Sequence, residues 1–258
     1  MPNTHRLVTV DKQGETDMQD TTETKQVVLS LYDFTGEAVR PWASAGYECH
    51  IYDIQHPSGP HKQRVGSKGG SITAHRKNLH SRISLMSIQS EMHGRDVVFL
   101  SAFPVCTDMA VSGAAHFAKK READPSFQDD AAKYAVWCSV LAEAIGCPYY
   151  VENPVSVLST LWRKPDYRFH PYEYGGYIPD SEAEHPRWPE YIAPRDAYPK
   201  KTCLWTGGGF TMPTKVSVTP REGFSQQHLK LGGKSQRTKD IRSATPRGFA
   251  LAVLEANT

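Results

Sequence analysis

Cys106 stands where a nucleophile would be useful. It follows the apolar run Val97 to Phe103 and then Pro104-Val105, and polar Thr107 and Asp108 come next. A thiolate on a loop leaving a buried strand can add to an electrophilic carbon. A second apolar run, Cys147 to Val151, ends in Glu152-Asn153-Pro154. A carboxyl boxed in at such a strand end is expected to be raised in pKa by desolvation and to serve as an acid. Upstream, Val27 to Tyr32 runs into Asp33-Phe34-Thr35-Gly36-Glu37, a strand–turn–helix pattern that lets backbone approach a ligand. Asp53, about 20 residues further on at the end of the next strand, suits a pair of ribose hydroxyls. Thiol, acid and ligand-holding turn all follow strands, and ligands bind along that edge of an open α/β sheet.

The elements that must position these groups alternate. Strands are expected at Val27–Tyr32, Glu48–Tyr52, Asp96–Leu100, Pro148–Val151 and Lys201–Trp205. A short helix is expected over Ala38–Gly46, with Pro41 in its first turn and Gly46 as its C-cap. His56–Ser71, rich in Gly, Pro and Lys, reads as loop, and Thr73–Met92 as helix from Leu79, Ile83, Met86 and Ile88. Phe127–Ile145 carries the clearest helical stripe, and Pro246–Ala256 reads as a closing helix. This is an α/β chain with a mostly parallel, Rossmann-like sheet flanked by helices. Residues 1–25 read as a mobile arm and 26–258 as one domain. Within that domain, 163–199 is an irregular aromatic, proline-rich segment and 207–239 a small basic insertion.

The bulk numbers narrow the classes. With 30 Lys and Arg against 28 Asp and Glu the net charge is +2, so a nucleic-acid partner would need a local basic patch. Five cysteines without CxxC spacing argue against a disulfide framework or a metal site and for a reducing compartment. Cys49, Cys138, Cys147 and Cys203 read as small buried hydrophobes. Without an apolar run approaching ~20 residues, the chain is expected to be cytoplasmic, off the membrane and monomeric.

The motifs Asp33-Phe34-Thr35-Gly36-Glu37-Ala38, Phe103-Pro104-Val105-Cys106 with Ser112-Gly113, and Glu152-Asn153-Pro154 resemble, in that order, the DNA (cytosine-5) methyltransferases. The likeness is strongest to short phage and prophage members and covers most of residues 27–206. It implies S-adenosyl-L-methionine as cofactor, bound by Asp33, Phe34, Thr35, Gly36, Glu37, Asp53 and Phe103. It also implies Cys106 as nucleophile, Glu152 as acid, and a flipped or single-stranded cytosine in DNA as substrate. Pro104, Thr107, Asn153, Lys201 and Arg242 would touch that base or its strand, with Arg237, Lys239 and Arg247 as further phosphate ligands.

Departures from the family pattern are visible. Val105 replaces the second Pro of the usual Pro-Pro-Cys, Glu37 stands where a small residue is common, and Lys200 and Lys201 stand where arginines are usual. The larger members' separate target-recognition domain has no counterpart of similar length. Two other readings fit the same residues. One is a scaffold that modifies a free cytosine nucleotide or transfers a group other than methyl. The other is a silent nucleic-acid-binding or inhibitor protein.

Overall fold

The computed structural model describes residues 25–223, 231 and 235–258, with the backbone of a two-stranded pair, Thr9–Val10 and Thr16–Asp17. The arm expected over residues 1–25 therefore lies almost wholly outside the described residues, as does part of the 207–239 insertion.

Eight strands make one mixed sheet. They are β1 (Val27–Leu31), β2 (Glu48–Asp53), β3 (His61–Val65), β4 (Gly70–Arg76), β5 (Val97–Ala102), β6 (Tyr149–Pro154), β7 (Tyr167–Phe169) and β8 (Thr202–Gly207). Their order is β3-β4-β2-β1-β5-β6-β8-β7. The five from β4 to β6 run parallel, whereas β8 is antiparallel to both its neighbours and β3 is antiparallel to β4. From β1 the chain first winds outward to β2 and β4, then returns to lay β5 and β6 on the other side. The crevice between the ends of β1 and β5 is thus the switch point of a Rossmann-like sheet.

Burial follows from sequence. Every residue of β1 is buried, as a continuous apolar run in a central parallel strand requires. Among the described residues, seven α-helices flank the sheet: α1 (Arg40–Ala45), α2 (Arg82–Glu91), α3 (Phe117–Ala123), α4 (Phe127–Ile145), α5 (Leu158–Leu161), α6 (Gln236–Ser243) and α7 (Arg247–Ala256). On one face α2 and α4 press Ile88, Ala135, Cys138 and Leu141 onto Leu29 and Leu100. On the other, α1 and α7 bring Trp42, Phe249 and Val253 onto Val28, Ile51 and Phe99.

The segment 56–92 differs from expectation. Instead of a loop followed by a long helix it forms the hairpin β3–β4, and α2 starts only at Arg82. β3 is an exposed edge strand rich in charge, with Lys62 and Arg64. Such strands lack the apolar alternation that sequence reading relies on and resist edge pairing. β4 begins at Gly70 because a Cβ there would lie 1.9 Å from the Ala43 carbonyl oxygen.

A third apolar cluster joins Trp188, Ile192 and Tyr198 to Ile241 and Ala244, which seats α6 on the 178–199 segment. The stretch after β8 is laced against its neighbours: Thr211 bonds Asn257, Gly176 and Tyr172 exchange backbone bonds with Val216 and Val218, and Arg221 bonds Ala197. Gly175 and Gly176 permit this, since a Cβ on either would meet Val218 or Val216 within 2.4 Å.

His185 holds the start of that lobe. Its Nδ1 accepts the backbone N–H groups of Arg187 and Trp188, both at 3.2 Å. Burial, with the charges of Arg247, Arg187 and Arg40, pushes its pKa down to about 4. The folded protein therefore keeps a neutral imidazole that the unfolded chain protonates near pH 6.5. Stability from the neutral ring is full above about pH 6.5 and lost as pH falls toward 4. His185→Asn keeps an acceptor for the same turn and removes the titration. The advantage of wild type over this variant in urea unfolding should shrink by on the order of 3 kcal/mol between pH 7 and pH 4. A difference that stays constant with pH would refute the neutral-imidazole account.

Candidate active site

The turn after β1 is built by Asp33. Its carboxylate accepts from Ser30 Oγ at 2.8 Å, Gly36 N at 2.7 Å and Thr35 Oγ1 at 3.3 Å. Burial raises its pKa while these donors pull it down. Asp33 thus shapes the turn, leaving the ligand to its backbone. Gly36 has φ 71°, a left-handed conformation that glycine adopts freely. The half-buried Phe34 ring packs 5.4 Å from His56, whose Nε2 lies 3.0 Å from the Asp33 carbonyl. Asp53, buried at the end of β2, spends Oδ1 on the N–H of Gln55 at 2.8 Å, and Oδ2 carries no hydrogen bond among the described residues. A half-buried aromatic ring, a glycine turn and a carboxylate with one free oxygen fit an adenosine. Glu37 is engaged on one side only: Arg187 Nη1 holds its Oε1 at 3.0 Å, and its buried Oε2 has no hydrogen bond.

Cys106 and Glu152 reach the same place because β5 and β6 are adjacent and in register, Ala102 opposite Val151. Asn153 fastens the loop between them, Nδ2 donating to the Pro104 carbonyl at 3.0 Å. Farther along, Val111 N bonds Val155 O and Val157 N bonds Met109 O. The Cys106 carbonyl accepts from Met109 N and Ala110 N at 2.9 and 2.8 Å, so the cysteine opens a tight turn. Val105 and Thr107 on either side are exposed. The other four cysteines are buried, as expected.

β8 supplies the third group. Running antiparallel, it enters the sheet beside the end of β6, Thr202 opposite Pro154. Lys200, two residues before Thr202, lines a cleft with Phe103, Glu152, Thr202, Thr245 and Pro246. Lys201 is exposed, so the residue at the cleft is the lysine one position earlier. Lys200 Nζ also donates to the Arg242 carbonyl at 2.9 Å, tying the end of α6 over the site.

Electrostatics link these groups. Burial raises the pKa of the Cys106 thiol, the Glu152 carboxylate pushes it further, and Lys200 and Arg242 draw it back. Burial likewise raises Glu152, opposed by Lys200. The surroundings thus favour the protonated carboxyl and leave a thiol that needs cationic help to ionise.

The distal basic residues are used otherwise. Arg247 is not a free phosphate ligand: its Nη2 donates to the carbonyls of Glu182, Ala183 and Glu184. Arg237 lies over the Tyr191 ring, 4.0 Å from Glu190, whereas Lys239 is exposed. Among the described residues no group of three His, Cys, Asp or Glu could hold a metal, and no helix is long and apolar enough to cross a membrane.

No protein-family model and no curated protein matches the chain. Among solved structures, it is similar to a "putative DNA modification methyltransferase encoded within prophage Cp" from E. coli, at 12% identity and a TM-score of 0.39, over 81% of this chain and 49% of that one. The chain thus spans about half the length of that protein.

Proposed function

We propose that the chain transfers a methyl group from S-adenosyl-L-methionine to C5 of cytosine in DNA, through a covalent bond between Cys106 and C6. What supports this is a cleft lined by Glu152 and Lys200, with the Cys106 thiol close enough to feel both charges, at the strand-end edge that also carries the Asp33–Gly36 turn and Asp53.

Cytosine C5 is a poor nucleophile until a thiolate adds to C6. Cys106 is half-buried, so its proton can leave to solvent as Lys200 and Arg242 favour the thiolate. As the S–C6 bond forms, negative charge moves toward N3, where Glu152 donates its proton. Lys200 beside it then faces a newly ionised carboxylate. The cofactor, when bound, supplies an electrophilic methyl on sulfonium. Afterwards the C5 proton leaves to solvent, the C–S bond breaks, and N3 returns its proton to Glu152. The Asn153 clasp on Pro104 keeps the thiol in register with the acid throughout. Because the cleft sits at a loop edge, the base must be flipped out of a duplex or already single-stranded. Lys200 in the cleft, with the exposed Lys201 and Arg242 outside it, supplies cations for the phosphates of its strand.

A free cytosine nucleotide is the second reading. It is favoured by the short stretch between β8 and α6, which leaves little material for reading a DNA sequence. DNA containing 5-fluorocytosine separates the two, because fluorine at C5 blocks the final elimination. Mass spectrometry should find an adduct on Cys106 that carries one added methyl. An adduct with the fluorinated nucleotide alone would transfer the activity to free nucleotides. Cofactor binding without any adduct would refute the thiol mechanism.

A further inference from the structure

We infer that Arg187 holds the α-carboxylate at the amino-acid end of the cofactor, an assignment that rests on the transferase reading above. Although 150 residues from Glu37 in sequence, Arg187 reaches the cofactor turn itself. Its Nη1 donates both to the Thr35 carbonyl and to Glu37 Oε1, each at 3.0 Å. Its guanidinium lies over the Trp188 ring, 4.2 Å from the centroid, which fixes the plane. One nitrogen is thereby used, while Nη2 and Nε make no hydrogen bond among the described residues.

A second arginine shares the Glu37 carboxylate. Arg187 and Arg40, the latter 3.7 Å from Oε2, face the single carboxylate of Glu37. Arg247 nearby is matched by three carbonyls and by the charge of Asp196. His185 adds no charge, since its neutral form is favoured. The Arg187 and Arg40 side chains are 39% and 41% exposed and so within reach of a ligand. Glu37 Oε2, almost wholly buried and without a hydrogen bond, adds a vacant acceptor beside the vacant donor edge. A vacant acceptor beside a vacant guanidinium edge is the complement of an ammonium and a carboxylate on one carbon. With the ribose assigned to Asp53, the amino-acid end of the same ligand is assigned to Arg187, which touches the turn at Thr35 and Glu37.

The test is calorimetry on the full chain with two probes. S-adenosylhomocysteine has the amino-acid end; 5′-methylthioadenosine shares its nucleoside and thioether but lacks that end. Arg187→Ala should weaken S-adenosylhomocysteine by about 10- to 100-fold and leave 5′-methylthioadenosine within about 2-fold. Arg187→Lys, which keeps the charge without the fork, should fall between. Equal losses for both probes would mean that Arg187 only braces the turn, and the assignment would fall. Weaker DNA binding with unchanged S-adenosylhomocysteine affinity would reassign the guanidinium to phosphate and overturn it as well. A wild-type protein that binds neither probe would overturn the transferase reading itself.

Discussion

Cys106→Ser should lose methyl transfer by on the order of 10⁴-fold or more while S-adenosylhomocysteine affinity stays within about 2-fold. Oxygen replaces sulfur at nearly the same size, but a hydroxyl ionises far less readily than a thiol. Burial already works against ionisation at this position, and Lys200 and Arg242 cannot lower an alcohol far enough. The fold should tolerate the change. The turn after the cysteine is held by its backbone carbonyl, through Met109 and Ala110, and not by its side chain. Single-turnover transfer of a labelled methyl reads the rate. A residual rate within tenfold of wild type would remove the covalent adduct from the mechanism.

Glu152→Gln should cost about 10²- to 10⁴-fold, the usual worth of a positioned acid, and should alter the pH profile. Wild type needs Glu152 protonated and Cys106 ionised, two groups that both sit above their ordinary ranges. Its rate should rise with pH to the apparent pKa of the acid, stay flat, and fall above that of the thiol. These apparent values belong to the pair, because each charge disfavours the other. Glutamine cannot ionise, so the variant's rate should go on rising through the range where wild type is flat. A variant profile parallel to that of wild type would show that Glu152 is not the titrating acid.

Much of this site was legible because parallel strands advertise themselves. β1, β5 and β6 are apolar runs, buried on at least one face along most of their length, and each hands over its polar residue where the run stops. The same holds for α4, whose stripe and Gly146 cap delimit it from Phe127 to Ile145. What stayed hidden depends on frame or on distance. Strand period is two, so an error of one residue at the start of β8 exchanges the cleft-facing and outward positions. Lys201 was expected at the site, and Lys200 is there. Arg247 read as a phosphate ligand from local sequence, but carbonyls far along the chain occupy it, which no local pattern encodes. β3 escaped because an edge strand of His, Lys, Gln and Arg has no face to bury.

The reversed direction of β8 has an outcome in time as well as space. Six residues of strand at about 3.3 Å each carry the chain roughly 20 Å away from the cleft. The lace from Thr211 to Arg221 then packs over Gly175 and Gly176, and α6 follows later in the chain. A nascent chain that has already produced nucleophile, acid and Lys200 still lacks the carbonyl that tethers that lysine and the second cation that helps ionise the thiol. Both belong to Arg242, so the cleft is finished only after the whole sheet has been translated.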